Sequence, residues 1–200
     1  MVVFAFSRIP GLFPPNFSAV YALIFCAGVY FPGKSGFVLP FVTMLVSDLC
    51  LNFFYYSATA ADPRLWVYLG INYICYVLVF LLGRRMGRKV TLLKMVGGSL
   101  LAAIGFYILT NTLSWLINPY NNPEYLKTVQ GWLMALTIGT GKWPQTWEFF
   151  RNTLLSSGLF TGLFAAVMKF QESAAESKVE KEAGESAENE PETGEAEEAT

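Results

Sequence analysis

Histidine is missing from all 200 residues. Its absence removes the usual general base near neutral pH, the Ser–His and Cys–His nucleophile pairs and the commonest zinc ligand. Cysteine is scarce: Cys26, Cys50 and Cys75 fall one to each apolar segment, with no C-x-x-C pair. They read as small buried hydrophobes rather than metal ligands or disulfide partners. No Walker-type glycine-rich loop is present, so the chain does not hydrolyse ATP by that route. Acids are also few where they would matter. Residues 1–170 hold 12 Lys/Arg and 4 Asp/Glu, a net of +8, whereas residues 171–200 hold 2 Lys and 11 Glu, a net of −9. The overall charge of −1 is a cancellation. With neither a second acid beside Asp48 nor a base or metal-ligand set, an enzyme is not expected, and neither is a cofactor. Met1 to Ala5 is apolar but too short, and too poor in preceding basic residues, for a secretory signal.

What the chain has is apolar length. It is 54% hydrophobic with a mean hydropathy of +0.41, too apolar for an ordinary soluble domain. The pattern predicts an all-α membrane protein with six transmembrane helices: 17–31, 36–54, 65–82, 94–116, 125–140 and 147–170. The first and fifth of these are short for a span of about 20 residues. Pro14-Pro15 precedes the first helix, and Asn16 stands where an N-cap belongs. Ser18, Ala22 and Cys26 form a small-residue stripe, and Gly97, Leu101 and Gly105 a second, each a surface on which another helix could pack closely. Domain organisation follows composition. Residues 1–170 form the membrane domain, and residues 171–200, rich in Glu, Ala, Ser and Gly without an aromatic, are expected to be a disordered acidic tail. The cluster Arg84, Arg85, Arg88, Lys89 and Lys94 reads as a topology signal facing anionic lipid, not nucleic acid. With six spans it places loops 1, 3 and 5 in the cytoplasm and both termini outside.

The segment Gly36 to Phe54 organises the rest. Inside it lies Asp48, the sole acid in any long apolar run. A carboxylate costs about 2.5–3.5 kcal/mol to insert at the centre of a membrane helix and less towards an end. Asp48 sits about 9 Å from the helix end, with Ser47 before it and Asn52 at i+4 on the same face. Asn16, Asn52, Asn72, Asn111, Trp115 and Tyr120 are placed at the same end of the bundle by alternation of the spans. Amides, aromatic rings and one acid converging on one membrane face have the composition of a small-molecule site. The competing reading is that the same residues are interhelical glue. The candidate ligand-binding set is therefore Asn16, Asp48, Asn52, Asn111, Trp115 and Tyr120, with no catalytic or metal residue.

A set of motifs carries a resemblance over residues 8–168. They are Pro14-Pro15-Asn16-Phe17 followed by Ala22, Phe25, Gly28 and Tyr30-Phe31; Ser47-Asp48-Leu49; Thr110-Asn111 with Trp115; Tyr120; and Phe149-Phe150-Arg151-Asn152-Thr153-Leu154. In these the chain resembles a family of bacterial integral membrane proteins similar to the substrate-binding S components of energy-coupling factor (ECF) vitamin transporters. The chain departs from that pattern at Phe13, where the family often has histidine, and at Ser156-Ser157-Gly158, where it often has an acid. The resemblance implies a multi-pass protein of the bacterial cytoplasmic membrane that captures a small solute and hands it to ATPase and coupling subunits. S components are expected to have cytoplasmic termini. The alternative is a structural or assembly membrane protein whose polar cluster binds no ligand.

Overall fold

The computed structural model describes residues 2–88, 90–141 and 143–188 and is helical throughout, with no strand among the described residues. The helices are α1 (Val2–Ser7), α2 (Val20–Tyr30), α3 (Ser35–Cys50), α4 (Pro63–Met86), α5 (Leu92–Ile117), α6 (Val129–Thr137) and α7 (Thr146–Glu188). A π-helical turn, Leu51–Tyr55, extends α3. Four segments are long and apolar enough to cross a membrane: Ser35–Tyr55, Pro63–Met86, Leu92–Ile117 and Thr146–Lys181. The chain divides into two compact units, Met1–Ala165 and Ala166–Thr200.

Local chemistry sets the helix limits. Asp62 caps α4 by accepting from the Arg64 amide at 2.9 Å, with Pro63 in the first turn, where its missing N–H costs nothing. Thr91 and Thr128 cap α5 and α6 in the same way, and Asn118 closes α5 in the left-handed conformation. At the start of α2 the expectation fails. The helix begins at Val20, its N-cap position is Ala19, and Asn16 lies in an exposed turn at φ 61°. The chain turns twice between the paired prolines and the helix, so Asn16 is too early to cap it.

In the first unit, α2 is the central element. Ten of its eleven residues are buried. It runs parallel to α4, and two glycines make the approach possible: a Cβ on Gly28 would strike the backbone at Phe80 and Arg84, and one on Gly83 would strike the Phe25 carbonyl. Gly83, expected to open a loop, is thus the closest contact of a helix that continues to Met86. The predicted stripe of α5 is displaced by one residue. Gly97 and Gly105 have open space around them and Leu101 is exposed, while Ser99, Ala102, Ala103 and Phe106 are buried and Gly98 lies against Met86 and the Phe25 ring.

The fifth predicted span is not among the described helices long enough to cross a membrane. α6 has nine residues and lies along the final third of α5, with Trp132 Nε1 donating to Thr112 Oγ1 at 2.9 Å and the Tyr107 hydroxyl donating to the Leu136 carbonyl. The chain then turns back, so that Trp143 meets Tyr56 and Phe150 stacks on Tyr107 at 4.3 Å. From there α7 descends antiparallel to α5: Ser157 bonds Ser99, and Phe164 reaches Tyr30. Non-helical chain at membrane depth is tolerated where protein covers it. The consequence is topological. The chain leaves the first unit, at Ala165, on the end that carries Arg84 and Arg85, not on the end where the six-span reading placed it. Arg151 moves to the opposite end, with Arg8, Arg64 and Lys127.

The second unit, taken by itself, contains the described part of the expected tail, residues 171–188. These residues are helical, and α7 continues to Glu188 with almost every described side chain exposed. Alanine, glutamate and lysine are strong helix formers, and an already nucleated helix extends without packing partners. Residues 189–200 of the predicted tail lie outside the described residues.

Candidate functional site

Asp48 is held from two directions. The Arg8 guanidinium pairs with Oδ1, and the Tyr73 hydroxyl of α4 donates to Oδ2 at 3.0 Å. Arg8 Nε also donates to Ser47 Oγ at 3.0 Å. The side chains of Arg8 and Asp48 are 19% and 13% exposed, which is low enough that each charge depends on the other for the solvation it has lost. The π-helical turn begins three residues later. Asn52, inside it, returns its side-chain amide to the Asp48 carbonyl at 2.8 Å. Such turns often accompany functional sites, because the extra residue re-aims the side chains around it.

Aromatic rings continue inward from Tyr73. Phe41 lies 6.3 Å from it and Tyr76 5.7 Å, ring centre to ring centre, and Tyr76 stacks on Phe106 at 4.8 Å. Tyr21 of α2 meets Phe106 edge-on at 5.0 Å. The acid therefore stands at the head of an aromatic column drawn from α2, α3, α4 and α5.

The remaining predicted site residues are not gathered around it. Asn111 donates back to the Tyr107 carbonyl of its own helix at 2.8 Å, and Asn72 does the same to Tyr68 at 3.0 Å. Trp115 anchors the loop after α5: its Nε1 donates to the Leu126 carbonyl at 2.6 Å, Lys127 covers its ring, and the Lys127 ammonium donates to the Trp115 and Leu116 carbonyls. Tyr120 lies beside Asp62 and Arg64 at the start of α4. Burial and the Asp62 carboxylate raise its phenol above the ordinary value, with Arg64 opposing. Asn16 is in the turn before α2. Of the six, Asp48 and Asn52 lie together, and the other four lie in four different places.

Two members carry no mark in the sequence pattern. Arg8 precedes the first predicted helix, and Tyr73 lies within the third, 65–82. The signal for Tyr73 is chemical: an acid in an apolar helix needs donors, and tyrosines on the neighbouring span supply them. A second cluster was also missed. On α7, Asn152, Thr153, Ser156, Ser157 and Thr161 are buried, while Leu155, Leu159 and Leu163 face outward. Ser99 and Ser157 share a hydrogen bond at 2.6 Å, and Thr161 Oγ1 donates to Ser99 Oγ at 2.7 Å.

This geometry meets the comparisons with known proteins at one point. A model of a family of unknown function, DUF6580, matches residues 1–180. The chain belongs to that family. Its extent covers the whole first unit, so the Arg8–Asp48–Tyr73 junction and the hydroxyl seam both lie in the DUF6580 region. Neither a curated protein nor a solved structure matches the chain.

Proposed function

We propose that this DUF6580 protein is a multi-pass protein of the bacterial cytoplasmic membrane that binds a small solute and passes it to separate ATPase and coupling subunits, in the manner of an ECF S component. One observation carries the reading: a charged, phenol-backed carboxylate near the end of an apolar helix opens onto an aromatic column. Ionisable groups within membrane segments are costly and usually mark substrate paths, and apolar walls with a few placed polar groups are the make-up of a solute site. No catalytic role is assigned to the junction. The test is mass spectrometry of molecules extracted from the detergent-purified protein. A solute that co-purifies with the wild type and is lost from a folded Asp48→Asn variant supports the reading, and retention of the same solute by that variant rejects the site.

A second reading has a specific observation in its favour: every carboxylate oxygen of Asp48 is already met from within the chain. On that reading the junction locks the N-terminal segment to α3 and α4, and Asp48→Asn lowers stability with no ligand to lose.

The positive-inside rule puts Arg84, Arg85, Arg88 and Lys94 in the cytoplasm, and the descent of α7 brings the end of the first unit, at Ala165, to the same side. Protease should then trim residues beyond Ala165 only after the inner membrane of spheroplasts is permeabilised. Trimming in intact spheroplasts reverses the assignment.

A further inference from the structure

We propose that Ser47, Asp48 and Tyr73 form a site for a solute bearing an ammonium, amidinium or guanidinium group, and that Arg8 is its resident stand-in, carried on a strap, residues 2–18, that withdraws when the solute enters. This rests on the solute-binding reading above and names its substrate class.

The place the guanidinium occupies is defined by oxygen. Its N–H groups meet Asp48 Oδ1 and Ser47 Oγ, and the phenol of Tyr73 holds the other carboxylate oxygen at 3.0 Å. Such a set suits a cation with several N–H donors. The cation filling it does not come from a facing helix. It sits one residue beyond a six-residue helix, in a run of turns that includes Gly11 at φ 81°, with open space where a Cβ would stand. The other polar ties of the strap are neutral and few: the Ser7 hydroxyl accepts from the Ala19 amide at 3.0 Å, and Asn152 donates to the Pro15 carbonyl at 2.9 Å. Neutral interhelical bonds of this kind in membrane proteins average about 0.6 kcal/mol, so Arg8 is the main polar clasp.

Charge decides the class of ligand. Asp48 needs a cation beside it at all times, because an unpaired carboxylate with so little exposure is heavily penalised. An anionic solute would pair with Arg8 and strand Asp48. A neutral one would separate the pair and replace neither charge. A cationic group alone can displace Arg8 and leave Asp48 satisfied, while Arg8 withdraws with the strap towards water. Behind the carboxylate, the rings of Tyr73, Phe41 and Tyr76 offer walls for the organic body and π faces for its charge.

The experiment is chemical rescue on the full chain in detergent. Arg8→Ala should melt well below the wild type. Ethylguanidinium chloride at 10–50 mM, set against equal sodium chloride, should raise the melting temperature of Arg8→Ala by several degrees, that of the wild type by less, and that of Arg8→Ala/Asp48→Asn not at all. Equal shifts in all three, or none in Arg8→Ala, overturn the proposal. If Arg8→Ala does not fold, Arg8→Gln takes its place. If neither folds and the wild-type extract holds no cationic solute, Arg8 is structural and the proposal fails. An anionic or neutral solute in the extract overturns the cation site while leaving the solute-binding reading in place. An empty extract together with no rescue removes both.

Discussion

The Arg8–Asp48–Tyr73 junction and the Ser99–Ser157–Thr161 seam both hide polar groups between apolar elements, yet they are built for different ends. The seam joins two regular helices by neutral hydroxyls that bond one another in a closed set, Ser99 to Ser157 at 2.6 Å and Thr161 to Ser99 at 2.7 Å. All three residues are essentially unexposed. The junction joins a regular helix to an irregular segment by full charges, and its side chains keep some exposure. A neutral seam can be lost or gained by single methyl-scale changes. A charged junction cannot lose one partner cheaply, and it ties down the least regular part of the first unit. Fixed packing is the work of the seam, whereas the junction is where a change of partner would be felt.

Three measurements break or sharpen that contrast. The largest effect is expected from Arg8→Ala. It should cost up to about 3–5 kcal/mol in reversible unfolding, the range for removing one member of a buried pair. Adding Asp48→Leu should return much of the loss, and a double-mutant cycle that comes out additive would remove the junction from the account. Next is Tyr73→Phe, which keeps the ring contacts with Phe41 and Tyr76 and deletes one charge-assisted hydrogen bond. A loss of about 1.5–3 kcal/mol is expected, and a change below 0.5 kcal/mol would mean that Arg8 alone satisfies the acid. The smallest effects belong to the seam: Ser157→Ala and Thr161→Val should each cost about 0.6 kcal/mol. A loss at the seam equal to that at the junction would erase the distinction.

The same two regions show what the sequence could and could not reveal. Asp48 stood out because a lone acid in a 19-residue apolar run has one physical meaning, an insertion cost that something must offset. What offsets it lies 40 and 25 residues away in the chain, and separation of that kind leaves no periodic trace. The seam was hidden for the opposite reason. On α7 the leucines face outward and the hydroxyls inward, an arrangement that suits lipid, so amphipathicity read with water in mind points the wrong way. The long helices α3, α4 and α5 were legible from apolar length and from turn signals at Pro32-Gly33, Asp62-Pro63 and Asn118-Pro119. The fate of α6 was not. In the sequence Tyr125 to Thr140 reads as a short span, but Thr128 caps the helix late and Gly139, at φ 76°, ends it early.

The brevity of α2 reaches beyond its own packing. Eleven residues make a rod about 16 Å long, roughly half the thickness of a bilayer's hydrocarbon core. A short rod enclosed by long ones leaves depth to be filled at its ends, and the filling must satisfy its own backbone where lipid offers no hydrogen bonds. The bonds from Ala19 to Ser7 and from Asn152 to Pro15 do this at the Asp48 end. Residues 2–18 therefore act as a stopper seated in the mouth of the bundle, and the bilayer around that mouth is the place to look for local thinning.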